Sequence, residues 1–203
     1  PRFKENKVLC DFSQSTLYRS GKPFGSSALE GGDVLVFKEG IVLVGVGERT
    51  TEYGVEQLAE ALRKHDFFHT LIMVPMPSQR SVMHLDTIFT RVSEDECLVY
   101  GPMIEEGHSE TLSAISINLT SQKKDYGRRH SSLLAPLKPH GVSLKPIFCG
   151  GEKSYIQQTR EQWTDGANSF TIRPGKIVVY KRNQMTIEEL HKNGYHILAR
   201  KDF

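Results

Sequence analysis

Asp33-Val34-Leu35-Val36-Phe37, Glu39-Gly40 and Ile41-Val42-Leu43-Val44-Gly45-Val46 read as strand, turn and strand, and this stretch decides the fold. The second run is apolar almost throughout, which predicts burial on both faces. Downstream, Val55, Leu58, Ala59 and Leu62 repeat at i, i+3, i+4 and i+7, so a helix follows, capped by Thr50 or Thr51 and ended by His65-Asp66. Thr70 to Val74 is again apolar and supplies a third strand. The unit is strand, hairpin, strand, helix, strand, or ββαβ.

The order returns twice. Leu85 to Val92 predicts a strand, Ser93 to Glu96 a turn, and Cys97 to Tyr100 its partner. Residues 101–132 are polar and irregular and read as a long insertion. A short helix at Ser132 to Leu137, a strand at Val142 to Phe148 and a helix from about Ser154 to Trp163 follow. The third round has strands at Ser169 to Ile172 and Ile177 to Tyr180, with a turn between them. Thr186-Ile187-Glu188-Glu189 reads as a capping box. Its helix runs to Gly194, and Tyr195 to Leu198 is the closing strand. Fold class is therefore α/β with internally repeated ββαβ modules at about 33–75, 85–149 and 168–200, all in a single domain spanning 1–203. Residues 1–29 give few regular signals beyond a loop marked by Gly21, Pro23, Gly25, Ser26 and Ser27.

At 203 residues the chain can bury a sizeable core. Hydrophobic content of 38% with 25% charged residues fits a folded soluble protein, not a disordered one. A net charge of +2 with scattered basic residues argues against nucleic acid or an anionic membrane as partner. Lys123-Lys124 and Arg128-Arg129-His130 read as a solvated loop. No apolar run is long enough to span a bilayer, and no signal-peptide pattern is present. Cys10, Cys97 and Cys149 lack paired or metal-ligand spacing, which points to reduced thiols, the cytoplasm and no metal.

Chemical potential concentrates in a few places. Met83-His84-Leu85-Asp86-Thr87-Ile88-Phe89-Thr90 is rich in β-branched and aromatic residues and reads as a strand. His84 and Asp86 would then share a face, about 7 Å apart at about 3.3 Å per residue. An imidazole beside a carboxylate suits acid/base work and cation binding; the plainer reading is a polar strand face turned to water. Glu30-Gly31-Gly32-Asp33 places two carboxylates around a flexible turn, or is a loop leading into a hairpin. Arg49 can clamp a carboxylate or pair with Glu48 or Asp33. Arg160, Glu161, Trp163, Asp165, Gly166 and Asn168 read as a structural hydrogen-bonding cluster. Inward carboxylates suit a guanidinium, and Arg49 suits a carboxylate at the ligand's other end. Free arginine has both.

Four motifs in order carry a resemblance: Leu29-Glu30-Gly31-Gly32-Asp33-Val34, Glu48-Arg49-Thr50, Met83 to Thr90, and Arg160-Glu161-Gln162-Trp163-Thr164-Asp165-Gly166-Ala167-Asn168. They resemble the motifs of the arginine deiminases, in the guanidino-group-modifying superfamily, from about Arg2 to Arg200. The resemblance implies an α/β propeller of five ββαβ modules, of which this chain holds about three. It implies hydrolysis of L-arginine to L-citrulline and ammonia through a covalent thiol intermediate, with neither cofactor nor metal. His84 would be the acid and then the base, Asp86 would hold guanidinium nitrogens, and Glu30 would position His84 and the guanidinium. Arg49 would bind the substrate carboxylate, and Asp33 would also serve substrate binding.

The pattern departs in places. The family's nucleophilic cysteine lies in a glycine-rich segment near its C-terminus, and none of Cys10, Cys97 and Cys149 matches it. Another guanidinium-holding aspartate and a second substrate arginine have no counterpart either. A chain of this length is therefore expected not to catalyse the reaction by itself. A related hydrolase of agmatine or peptidyl-arginine, and an inactive arginine-binding relative, stay open. Open module edges make a homo-oligomer a further expectation.

Overall fold

A computed structural model describes residues 27–121 and 127–198. Cys10, Lys123, Lys124 and most of the N-terminal loop lie outside these residues. β1 (Val34–Phe37) and β2 (Ile41–Val46) form the expected hairpin, antiparallel with Val34 opposite Val44. Gly40 turns it at φ 76°, and a Cβ there would stand 2.3 Å from the Phe67 carbonyl oxygen. Thr51, not Thr50, caps α1 (Glu52–Leu62), its hydroxyl accepting from the Gly54 N–H at 3.1 Å. β3 (Thr70–Pro75) then runs parallel to β2.

The apolar run of β2 is buried on both sides, as its composition predicts. Val42 and Val44 join Val55, Leu58, Ala59 and Leu62 of α1 in one cluster. Ile41 and Leu43 join Ile72, Val74, Leu85 and Ile88 in the larger core. Each fully buried side chain of this size contributes about 1.5–3 kcal/mol, so β2 is the hub of both layers.

The second unit keeps the same strand pattern. β4 (Phe89–Arg91) pairs antiparallel with β5 (Glu96–Val99), and β5 pairs parallel with β8 (Lys145–Phe148). What lies between corrects the expected irregular insertion. Gly101–Ile104 forms a buried helical turn, α2. β6 (Ala114–Asn118) pairs antiparallel with β3, and β7 (Arg128–His130) pairs with β6. The first sheet thus has the order β1-β2-β3-β6-β7. The second side of β3 has N–H and C=O groups that need partners, and in β6 Ile115 and Ile117 alternate with polar residues at the two-residue period of a strand. Arg128 to His130 is accordingly a strand and not a solvated loop. The short helix expected at Ser132 to Leu137 is a 3-10 turn at Ala135–His140.

α3 (Tyr155–Gln162) starts at Ser154, whose hydroxyl accepts from the Gln157 N–H at 3.3 Å. β9 (Phe170–Arg173) and β10 (Lys176–Val178) form a separate two-stranded hairpin. α4 (Gln184–Lys192) begins earlier than the capping box implied. Glu161 is the reason: its buried carboxylate accepts from the N–H groups of Met185 (2.9 Å) and Thr186 (2.8 Å). It also accepts from the Thr186 hydroxyl at 2.6 Å, so Thr186 sits inside the helix and caps nothing. An anion at a helix N-terminus is favourable, and here another element supplies it. Gly194 ends the helix at φ 90°. Tyr195 to Leu198 form no strand. The Tyr195 N–H bonds the Leu190 carbonyl and its hydroxyl donates to Glu96 at 2.9 Å, which draws the chain back along α4.

Candidate active site

Met83 to Thr90 is not the expected strand. His84 is extended (φ −140°, ψ 155°), but Leu85–Thr87 is a 3-10 turn and pairing starts only at Phe89. Local and distant bonds enforce the turn. The Thr87 N–H and hydroxyl both donate to the His84 carbonyl, at 3.1 and 2.6 Å. The Leu85 N–H donates to Asp33 Oδ1 at 2.9 Å. His84 and Asp86 are therefore turn neighbours, not same-face strand neighbours.

They still converge, because Gly32 lets the first motif lie against them. Gly31–Asp33 is a short 3-10 turn. A Cβ on Gly32 would be 2.9 Å from His84 Cγ and 3.0 Å from Asp86 Oδ2. Glu30, just ahead of that turn, meets the imidazole: Glu30 Oε2 lies 2.6 Å from His84 Nε2. Its other oxygen lies 3.5 Å from Arg49 Nη1, so Arg49 pairs with Glu30 instead of Glu48 or Asp33. The Arg49 side chain is half exposed and reaches the rim of the cluster.

Burial sorts the carboxylates. The hydrogen bond from His84 holds the Glu30 carboxyl below its usual range, with Arg49 assisting. Burial pushes Asp86 upward, opposed by His84 and the Asn168 amide, while Asp33 adds to the rise. Burial also raises Asp33, although the Thr50 hydroxyl and the Leu85 N–H pull the other way. Asp33 is 1% exposed and both of its oxygens accept bonds from inside the fold. Asp86 differs: its Oδ1 is buried and has no hydrogen-bond partner among the described residues. A buried carboxylate oxygen without a donor is costly unless something cationic or N–H-rich fills the place.

Glu30, Asp33, Arg49, His84 and Asp86, all singled out from the sequence, come together here. Two residues were not expected. Thr50, named from the sequence as an alternative helix cap and as the last residue of the Glu48-Arg49-Thr50 motif but given no role in the site, binds Asp33. Its signal was the Thr50-Thr51 pair, which leaves one hydroxyl over once the helix is capped. Asn168, assigned to a structural cluster, lies beside Asp86. Glu161 from that cluster is structural, as predicted, and Asp165 pairs with Arg182 at 2.8 Å. Cys97 and Cys149 are buried in the core. Burial pushes the Cys97 thiol up to about 12 and raises Cys149 further, so neither supplies a thiolate.

The backbone is similar to a solved structure of inosamine-phosphate amidinotransferase StrB1 from Streptomyces griseus, with TM-score 0.50 and 18% identity. That likeness covers 84% of this chain and 40% of the other, and defines a mixed α/β fold with an amidinotransferase-like neighbour. The sequence is more specific. The arginine deiminase family model matches residues 1–201, and the chain belongs to that family. It is 37% identical over 174 residues to an arginine deiminase of Mycobacterium bovis (strain BCG / Pasteur 1173P2), covering 86% of this chain and 42% of that protein. An arginine deiminase of Rhodococcus jostii (strain RHA1) is 36% identical over 173 residues, covering 85% and 41%. The chain thus spans about two fifths of the length of the curated relatives it matches. Among the described residues, no helix is long and apolar enough to cross a membrane.

Proposed function

We propose that this chain carries the histidine and carboxylate part of a site that hydrolyses L-arginine to L-citrulline and ammonia. The observation that carries the reading is the buried Asp86 Oδ1, without a hydrogen-bond partner among the described residues, beside the Glu30–His84 pair. A guanidinium offers several N–H donors in one plane, and Asp86 with Glu30 would hold two of its nitrogens. Arg49 at the rim would take the α-carboxylate. Asp33, with both oxygens already bound, acts by placing His84 and Asp86 and not by touching substrate.

In this scheme a thiolate from outside the described residues adds to the guanidinium carbon. The imidazolium of His84 gives its proton to the departing nitrogen, which leaves as ammonia. Neutral His84 then takes a proton from water, the hydroxide adds to the same carbon, and the carbon–sulfur bond breaks as the new hydroxyl gives its proton to solvent, releasing citrulline and the thiolate with His84 again protonated. The covalent intermediate divides a hard hydrolysis into two easier steps.

The ββαβ strand pattern of the first two units supports modules at about 33–75 and 85–149 of a five-module α/β propeller, while 168–200 keeps the β9–β10 hairpin and α4 of a third without a closing strand among the described residues. Cysteines without paired spacing support a cytoplasmic setting. The test is an assay of the full-length protein with L-arginine, agmatine and a peptidyl arginine as separate substrates. Citrulline and ammonia from free arginine alone are expected. Turnover of agmatine in preference would remove the carboxylate-binding role of Arg49, and no turnover of any of them would overturn the reading.

A further inference from the structure

We propose that Thr50 is a positioning residue of this site, its hydroxyl acting with the Asp33 carboxylate to tie the Glu30 backbone to the Leu85 backbone and so set the Glu30–His84 contact. The inference rests on the reading above and deepens it.

The Thr50 side chain is fully buried, at 0% exposure. Its Oγ1 accepts from the Glu30 N–H at 3.1 Å and donates to Asp33 Oδ2 at 2.7 Å. Asp33 Oδ1 accepts from the Leu85 N–H at 2.9 Å. These three bonds run without a break from Glu30 to the residue lying between His84 and Asp86. The chain segments they join are distant in sequence, and the Glu30–His84 contact is the reach that remains between them.

The surroundings are built for this arrangement. Gly45 on β2 leaves the space that Asp33 occupies: a Cβ there would be 2.6 Å from Asp33 Oδ1 and 3.0 Å from Leu85 Cβ. The Gly47 N–H fixes the Thr50 carbonyl at 3.0 Å. The adjacent Thr51 serves α1 and the Ala28 backbone, so the two threonine hydroxyls have separate duties. Valine has the shape of threonine but would leave the part-buried Glu30 N–H and a buried carboxylate oxygen of Asp33 without these partners. Serine keeps the hydroxyl.

The test compares Thr50→Val and Thr50→Ser in the full-length protein. It reads thermal unfolding, kcat and KM for arginine, and the titration of the Glu30 carboxyl by carbon-13 NMR, assigned with Glu30→Gln. Thr50→Val is expected to lower kcat by about tenfold or more with a smaller change in KM, and to move the Glu30 titration up toward an ordinary carboxylate. Thr50→Ser is expected to restore both. A folded Thr50→Val with unchanged kcat and Glu30 titration overturns the proposal, as does a Thr50→Ser as impaired as the valine variant. Should the valine variant not fold, Thr50→Ala takes its place with the same expectations. If the parent protein makes no citrulline, the functional reading falls, while the Glu30 titration still decides the role of Thr50.

Discussion

Residues 34–75 and residues 76–88 lie side by side in the molecule and are shaped by different forces. The first stretch is hairpin, helix and strand, with β2 buried on both faces and α1 showing one apolar stripe. Its form follows from side chains leaving water, which any residue of similar size and polarity would do. The second stretch holds extended residues and two 3-10 turns. Its form follows from particular bonds, above all Leu85 to Asp33 and Thr87 to His84. Apolar burial makes the platform, and single hydrogen bonds aim the residues placed upon it.

Substitutions can separate the two. The largest effect is expected at His84. His84→Ala should lower citrulline formation by the full-length protein about a hundred- to ten-thousand-fold while circular dichroism and unfolding stay near the parent. Near-normal turnover would remove His84 from the chemistry. Leu58→Ala should do the reverse. Leu58 is 5% exposed in the cluster beneath α1, so its truncation should cost about 2–5 kcal/mol of stability and leave KM unchanged in the folded fraction. A changed KM would mean that platform and site are not separable. Arg49→Ala should raise KM for arginine about tenfold or more, the loss of a charge-assisted contact of about 1.5–3 kcal/mol, and leave competitive inhibition by agmatine, which has no carboxylate, unaffected. Equal losses on both would place Arg49 in support of Glu30 instead.

The smallest effect is in pH. Burial raises the Asp86 carboxyl, so on acidification it takes up a proton before an ordinary carboxylate does and ceases to attract a cation. Glu30, held low by His84, keeps its charge longer. KM for arginine should therefore climb on the acid side, by at most about tenfold per pH unit, starting above the usual carboxylate range. A KM that stays flat down to about pH 4 would take Asp86 out of guanidinium binding.

The same division explains what the sequence reveals. β2, α1, β3 and α3 are legible because their periodicity or cap is local. β6 and β7 were hidden in a polar stretch, since their stabilisation comes from the free edge of β3, far away in the chain. The start of α4 was misplaced because its cap is Glu161, a carboxylate from another helix. The residues of the site were legible as motif positions, and their convergence was implied by family resemblance. The Asp86 oxygen that has no partner among the described residues and the bond between Thr50 and Asp33 were not, because each depends on which backbone lies opposite.

Arg128, Arg129 and His130 occupy β7, the outermost strand described on its side of the first sheet, with both arginines exposed. A bare strand border invites another polypeptide to continue the ladder. Here that border carries consecutive cationic side chains, and an identical molecule offering the same strand would meet repulsion before any backbone pairing could form. The inserted residues thus both shelter β3 and discourage edge-to-edge pairing at the side they create.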